Sequence, residues 1–169
     1  LITSITYDLR QRLLSRTVGG ETTTYAYDGV GQLTQVTLPD ASRLEYQYDA
    51  AHRLIEIRLK DNSNALIGKT TYTLDVLGNR TNEQIKDPAD AVLQARSRVY
   101  NNLNRLIQDI GGTNPAAQIT AYAYDNQGNL TSVDGPLPGT ADTRSYTYDA
   151  LNRLVTQVDP SVTNNPASG

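Results

Sequence analysis

The sequence predicts an all-β protein, an extended antiparallel meander of repeated β-hairpins that curls into a spiral strip or open shell. Three observations predict it. Tyr-x-Tyr alternation is strand periodicity. An Asp-x-x-Gly or Asp-x-x-Asn signature follows directly and reads as a tight turn. The combination recurs along nearly the whole chain of 169 residues, which is the mark of a repeat architecture.

The repeat is anchored on Tyr7-Asp8, Tyr27-Asp28, Tyr48-Asp49, Tyr124-Asp125 and Tyr148-Asp149, with degenerate copies at Leu74-Asp75 and Tyr100-Asn101. The anchors 8, 28, 49, 75, 101, 125 and 149 are 20, 21, 26, 26, 24 and 24 residues apart, so seven copies make one array over 1–169. A second tyrosine stands two places before the first in five copies: Tyr25, Tyr46, Tyr72, Tyr122 and Tyr146. All 11 tyrosines occupy repeat positions. Five residues after the anchor stand Leu13, Leu33, Leu54, Arg80, Leu106, Leu130 and Leu154.

Each element of the copy has a physical reason. Tyr and Thr favour a pleated, half-buried surface. The Asp carboxylate accepts hydrogen bonds from the turn's own backbone. The position three after the anchor needs positive φ if the turn closes into a G1-type bulge. Gly31, Gly78 and Gly128 adopt that freely, and Asn104 and Asn152 tolerate it. Gln11 and His52 must be strained there or use another turn. With this turn Tyr27 faces Leu33, with Tyr25 on the same face, and such cross-strand pairs contribute roughly 0.2–1 kcal/mol each.

On the opposite edge, Val18-Gly19-Gly20-Glu21 reads as a two-residue hairpin loop and Leu38-Pro39-Asp40-Ala41 as a type I turn. Longer connections are expected over 61–68, 87–95, 111–118 and 134–142, so this edge is read as the variable one. Apolar residues fall on both faces, with Leu54 on one side and Ile55 and Ile57 on the other. About fourteen strands at roughly 4.8 Å each give a strip about 65 Å long, and open sheets beyond about ten strands curl or split.

Composition removes several function classes. Net charge is -3 and no basic stripe stands out, so a nucleic-acid partner is not expected. No run of about 18 apolar residues signals a membrane span, and no signal peptide is visible at Leu1. Cys 0 and His 1 leave no thiolate or histidine metal cluster, and no cofactor is expected. The repeat aspartates lack the ligand spacing of an EF-hand loop, which leaves turn capping as their role. Without Trp, the tyrosines are read as cross-strand packing before sugar stacking. Arg12, Arg53, Arg105 and Arg153 recur just before the leucine and are read as partners of nearby carboxylates. No acid–base pair or nucleophile is signalled, so no enzyme is expected.

The copies Tyr25-Ala26-Tyr27-Asp28-Gly29-Val30-Gly31-Gln32-Leu33, Tyr122-Ala123-Tyr124-Asp125-Asn126-Gln127-Gly128-Asn129-Leu130 and Tyr146-Thr147-Tyr148-Asp149-Ala150-Leu151-Asn152-Arg153-Leu154 resemble the RHS/YD-repeat family. That family includes bacterial RHS proteins, the C subunits of insecticidal toxin complexes, wall-associated proteins and teneurins. The resemblance covers roughly 5–158. It implies a β-strip wound into a hollow shell that encloses or presents a C-terminal, toxin-type domain. It also implies a bacterial secreted or cell-surface setting, with the rest of the parent polypeptide and an enclosed cargo as partners. The alternative it carries is an adhesive module for glycans or a protein receptor. Asp87-Pro88 and Asp159-Pro160 lack the glycine of the family's self-cleaving motif, so proteolysis is not transferred to them. A piece cut from such a strip has open strand edges and is expected to self-associate.

Overall fold

The computed structural model describes residues 2–112 and 118–160. They form fourteen antiparallel strands in one open sheet, and spatial order equals chain order. No helix occurs among the described residues. The strands are β1 (Thr3–Tyr7), β2 (Leu13–Val18), β3 (Glu21–Tyr27), β4 (Leu33–Thr37), β5 (Arg43–Tyr48), β6 (Leu54–Lys60) and β7 (Leu66–Leu74). They continue with β8 (Arg80–Lys86), β9 (Val92–Tyr100), β10 (Leu106–Gly111), β11 (Ile119–Tyr124), β12 (Leu130–Asp134), β13 (Arg144–Tyr148) and β14 (Leu154–Val158). The chain divides into two compact units, Leu1–Ala95 and Arg96–Gly169.

Every Asp-headed segment makes the same turn. In the first, the Gln11 amide donates to the Asp8 carbonyl at 3.0 Å and the Asp8 amide donates to the Arg12 carbonyl at 2.9 Å. That pair of bonds defines a type I turn closed by a G1-type bulge. The residue three after the anchor has positive φ in all seven copies: 62° at Gln11, 103° at Gly31, 63° at His52, 91° at Gly78, 62° at Asn104, 99° at Gly128 and 60° at Asn152. Gln11 and His52 therefore take the strained option and keep the turn.

The turn sets the register. Tyr27 stands opposite Leu33, and the following pair is Ala26 with Gln35, which leaves Thr34 as an extra residue. The same shift occurs in all seven hairpins, with Leu14, Ile55, Thr81, Ile107, Thr131 and Val155 as the other extra residues. A bulge of this kind changes which side chains share a face. Leu54 pairs with Tyr48 and Ile57 with Tyr46, and those tyrosines are two apart on one strand. Leu54 and Ile57 thus lie on one face, not on opposite faces as uncorrected alternation implies.

In the first unit the faces then sort by chemistry. Tyr25, Val36, Leu44, Leu59 and Gly68 form one row across β3 to β7, and Tyr46, Ile57, Thr70 and Ile85 form the next. The other face carries Gln35, Glu45, Arg58, Lys69 and Lys86 in a row. There Lys60 reaches Glu45 at 3.0 Å and Lys69 reaches Asp90 at 2.7 Å. Among the described residues only Val36 counts as buried apolar core. Ile67, Ile85 and Leu93 are 48%, 40% and 62% exposed, so the apolar face lies open.

The opposite edge is more regular than expected. Val18 pairs with Glu21 around Gly19 and Gly20, both at positive φ. Leu38–Ala41, Asp61–Asn64 and Asp87–Asp90 repeat the same turn used on the first edge, with Ala41, Asn64 and Asp90 at positive φ. The expected long connections at 61–68 and 87–95 are therefore short, and β7 and β9 begin at Leu66 and Val92. Asp61 and Asp87 cap these turns through their own carboxylates. The connection over 134–142 is a longer loop, as expected. Most of the 111–118 connection lies outside the described residues.

Candidate functional site: the Asp-turn edge

The functional candidates converge on the edge where the Asp turns line up. Each carboxylate is consumed by its own turn. Asp28 Oδ1 accepts from the amides of Val30 at 3.0 Å, Gly31 at 2.8 Å and Gln32 at 2.8 Å. Asp8, Asp49, Asp75, Asp125 and Asp149 cap in the same way. Asn101 does so with its amide oxygen, accepting from Leu103 and Arg105.

These bonds favour the ionised acid. The Arg12 backbone amide holds the Asp8 carboxyl below its ordinary value of 3.8, aided by the Arg12 guanidinium against the opposing effect of desolvation. Asp49 is lowered in the same manner by Arg53, and Asp149 by Arg153. For Asp75 and Asp125 the leading cause is the side-chain amide of Asn79 or Asn129.

In four hairpins the tyrosine one place before the anchor ties the hairpin to the one before it. Tyr27 Oη donates to the Leu13 carbonyl at 3.0 Å, and Tyr48 Oη to the Leu33 carbonyl at 2.9 Å. Tyr124 and Tyr148 make the same bond to Leu106 and Leu130. The ladder between β2 and β3 stops at Ser15–Thr24, so the Leu13 carbonyl has no strand partner there. The phenol supplies the donor that the ladder does not.

The recurring arginines reach further than their own carboxylates. Arg12 Nε contacts Asp8 Oδ2 at 2.7 Å, and its guanidinium lies 4.5 Å from the Tyr27 ring centroid. Arg53 Nε contacts Asp49 Oδ2 at 2.7 Å while Nη1 donates to the Asp75 carbonyl at 2.8 Å. Arg105 Nη1 donates to the Asp125 carbonyl at 3.2 Å, over Tyr124. Each arginine thus joins a turn to the following one.

Spacing alone revealed Tyr7, Tyr100, the Tyr-x-Tyr pairs and the Tyr–Leu register. It missed the tyrosine-to-carbonyl bonds, because an inter-hairpin contact leaves no local signature. The arginine bridges were half visible, since the recurrence of Arg12, Arg53 and Arg105 was plain but its target was not.

A sheet of hairpins that share one Asp- or Asn-headed turn, several of them fastened to a neighbour by tyrosine or arginine, defines a β-hairpin repeat protein. The RHS Repeat family matches residues 7–43 and 27–63, and the chain belongs to the RHS/YD-repeat family. It is 30% identical over 133 residues to the probable deoxyribonuclease RhsB of Dickeya dadantii, covering 79% of this chain and 7% of that protein. It is 31% identical over 147 residues to the double-stranded DNA deaminase toxin A of Burkholderia cenocepacia, covering 85% of this chain and 8% of that one. The chain therefore spans less than a tenth of the length of these relatives. Its fold resembles that in the crystal structure of TcdB2-TccC3-Cdc42, with TM-score 0.73, 22% identity, and coverage of 98% of this chain and 9% of that one. A Photorhabdus luminescens Tc holotoxin pore structure matches with TM-score 0.59 and 22% identity, again over 98% of this chain and 10% of the other.

Proposed function

We propose that this chain is a non-enzymatic wall segment of a hollow β-shell in a larger secreted or surface-exposed bacterial protein, and that the shell encloses or presents a C-terminal, toxin-type domain. The observation that carries this reading is the open apolar face. Leu59 and Ile85 stand exposed, and Tyr25, Leu44 and Ile57 half-buried, on one face that no second layer of the described residues covers. An exposed apolar surface of this kind belongs against another protein surface. A sheet with one apolar and one charged face suits a wall with an inside and an outside. The similarity to a probable deoxyribonuclease and to a DNA deaminase toxin, each spanned only in small part, supports the same reading.

The test is limited proteolysis of the full polypeptide that contains this segment. The region beyond the repeats should resist cleavage in the whole protein and be cut readily when produced alone. Equal cleavage in both settings contradicts enclosure.

A further inference from the structure

The seven copies are not equivalent, and their differences alternate. The residues three and four after the anchor are Gln11-Arg12, Gly31-Gln32, His52-Arg53, Gly78-Asn79, Asn104-Arg105, Gly128-Asn129 and Asn152-Arg153. Odd copies place a side chain and then arginine. Even copies place glycine and then an amide.

The geometry gives the alternation a cause at each kind of junction. From odd to even, the arginine lies over the glycine of the next turn. A Cβ on Gly31 would stand 3.5 Å from Arg12 Nη1, one on Gly78 3.9 Å from Arg53 Cδ, and one on Gly128 3.3 Å from Arg105 Cζ. At Gly31 and Gly78 a Cβ would already touch the arginine and at Gly128 it would be tight, so a longer side chain must displace an arginine whose guanidinium donates to the carbonyl of the same turn. From even to odd, the amide needs a polar side chain to meet. Gln32 Nε2 donates to the His52 carbonyl at 2.9 Å and its Oε1 lies 3.0 Å from His52 Nδ1. Asn129 Nδ2 donates to Asn152 Oδ1 at 3.0 Å. Glycine at the third position would remove the Asn152 acceptor and the His52 ring.

We propose that the array is built from two hairpin kinds and that an arginine-kind hairpin accepts on its following side only a glycine-kind hairpin. The β13–β14 hairpin is of the arginine kind. Arg153 contacts Asp149 at 2.7 Å, yet its side chain is 73% exposed, against 26% for Arg12 and 36% for Arg53, which have a following hairpin to seat on. β14 is exposed along its whole length. The inference rests on turn geometry and not on what the wall encloses.

The test replaces residues 159–169 with the turn 38–42 and a duplicate of residues 21–37. A second extension is identical except for Gly→His and Gln→Arg at the duplicated positions 31 and 32. Amide exchange along β14 is then read by NMR. The glycine-kind extension should slow β14 exchange by about tenfold or more relative to its partner, the factor that one to two net hydrogen bonds supply. Equal protection by both extensions, or by neither, overturns the proposal. An internal check avoids dependence on the graft. Gly31→Asn should be destabilising, although asparagine occupies the equivalent place at Asn104 and Asn152, and Arg12→Ala should recover much of the loss. Strictly additive effects of the two changes also overturn it.

Discussion

The hydroxyl of Tyr27 donates to the carbonyl of Leu13, fourteen residues and one hairpin earlier, at 3.0 Å. The same ring faces Leu33 within its own hairpin. One side chain therefore joins two hairpins, and repetition of that bond at Tyr48, Tyr124 and Tyr148 holds the sheet where a thick core is absent.

Removing the hydroxyl separates the two roles. Tyr27→Phe and Tyr48→Phe keep the ring opposite leucine and leave a backbone carbonyl without its donor. Each should lower stability by about 1 kcal/mol. Tyr7→Phe, on the exposed first strand, should stay within about 0.5 kcal/mol. Urea unfolding followed by circular dichroism measures all three. Equal losses would show that the phenol-to-carbonyl bond is not the source.

The turn carboxylates make stability depend on acid. Asp8, Asp49, Asp75, Asp125 and Asp149 are all lowered from 3.8 in the folded chain. A carboxyl with a depressed folded value contributes fully above its unfolded value, and the contribution is lost as pH falls through the folded one. The thermal midpoint should therefore be flat from neutral pH to about pH 5 and fall below about pH 4. Asp49→Asn should keep the turn, as Asn101 does naturally, and reduce the acid-dependent part of that fall. An unchanged acid profile in this variant would count against it.

Two of the seven anchor turns hold unfavourable residues at positive φ. Gln11 at 62° and His52 at 63° occupy positions where asparagine serves in copies five and seven. Gln11→Asn and His52→Asn should each stabilise by about 0.5–1 kcal/mol through relief of backbone strain. Thermal scans of the two variants measure this, and a loss of stability in both would contradict the strain reading.

Four tyrosines of the ladder are committed to the protein's own backbone. With the hydroxyls of Tyr27, Tyr48, Tyr124 and Tyr148 bonded to carbonyls, a glycan array should give no binding that these rings control. Tight glycan binding that Tyr27→Phe or Tyr124→Phe abolishes would instead favour an adhesive surface.

Much of this was legible because the chemistry is local. Asp28, Gly31 and Leu33 lie within six positions of one another, so turn type, positive φ and the Tyr27–Leu33 pairing follow from short-range rules. The face assignment failed at Ile55. Simple alternation takes no account of the extra residue that each bulge inserts, and that residue moves Ile57 to the side of Leu54. The turns at Asp61–Asn64 and Asp87–Asp90 lie within the stretches expected as long connections: Asp61-x-x-Asn64 has the anchor signature but stands out of step with the tyrosine spacing, and Asp90 stands where glycine or asparagine is the usual signal. The alternation of arginine and glycine was present in the letters of Arg12 and Gly31. Its meaning needed the distance between two hairpins, which no single copy contains.

The most direct measurement is solution NMR of the labelled chain, read at the tyrosine rings. The ring of Tyr27 should show contacts both to Leu33 across its own hairpin and to the backbone around Leu13 in the preceding one, with the same double pattern at Tyr48, Tyr124 and Tyr148. Rings that touch only their own hairpin, or that touch neither leucine, would contradict a sheet fastened hairpin to hairpin.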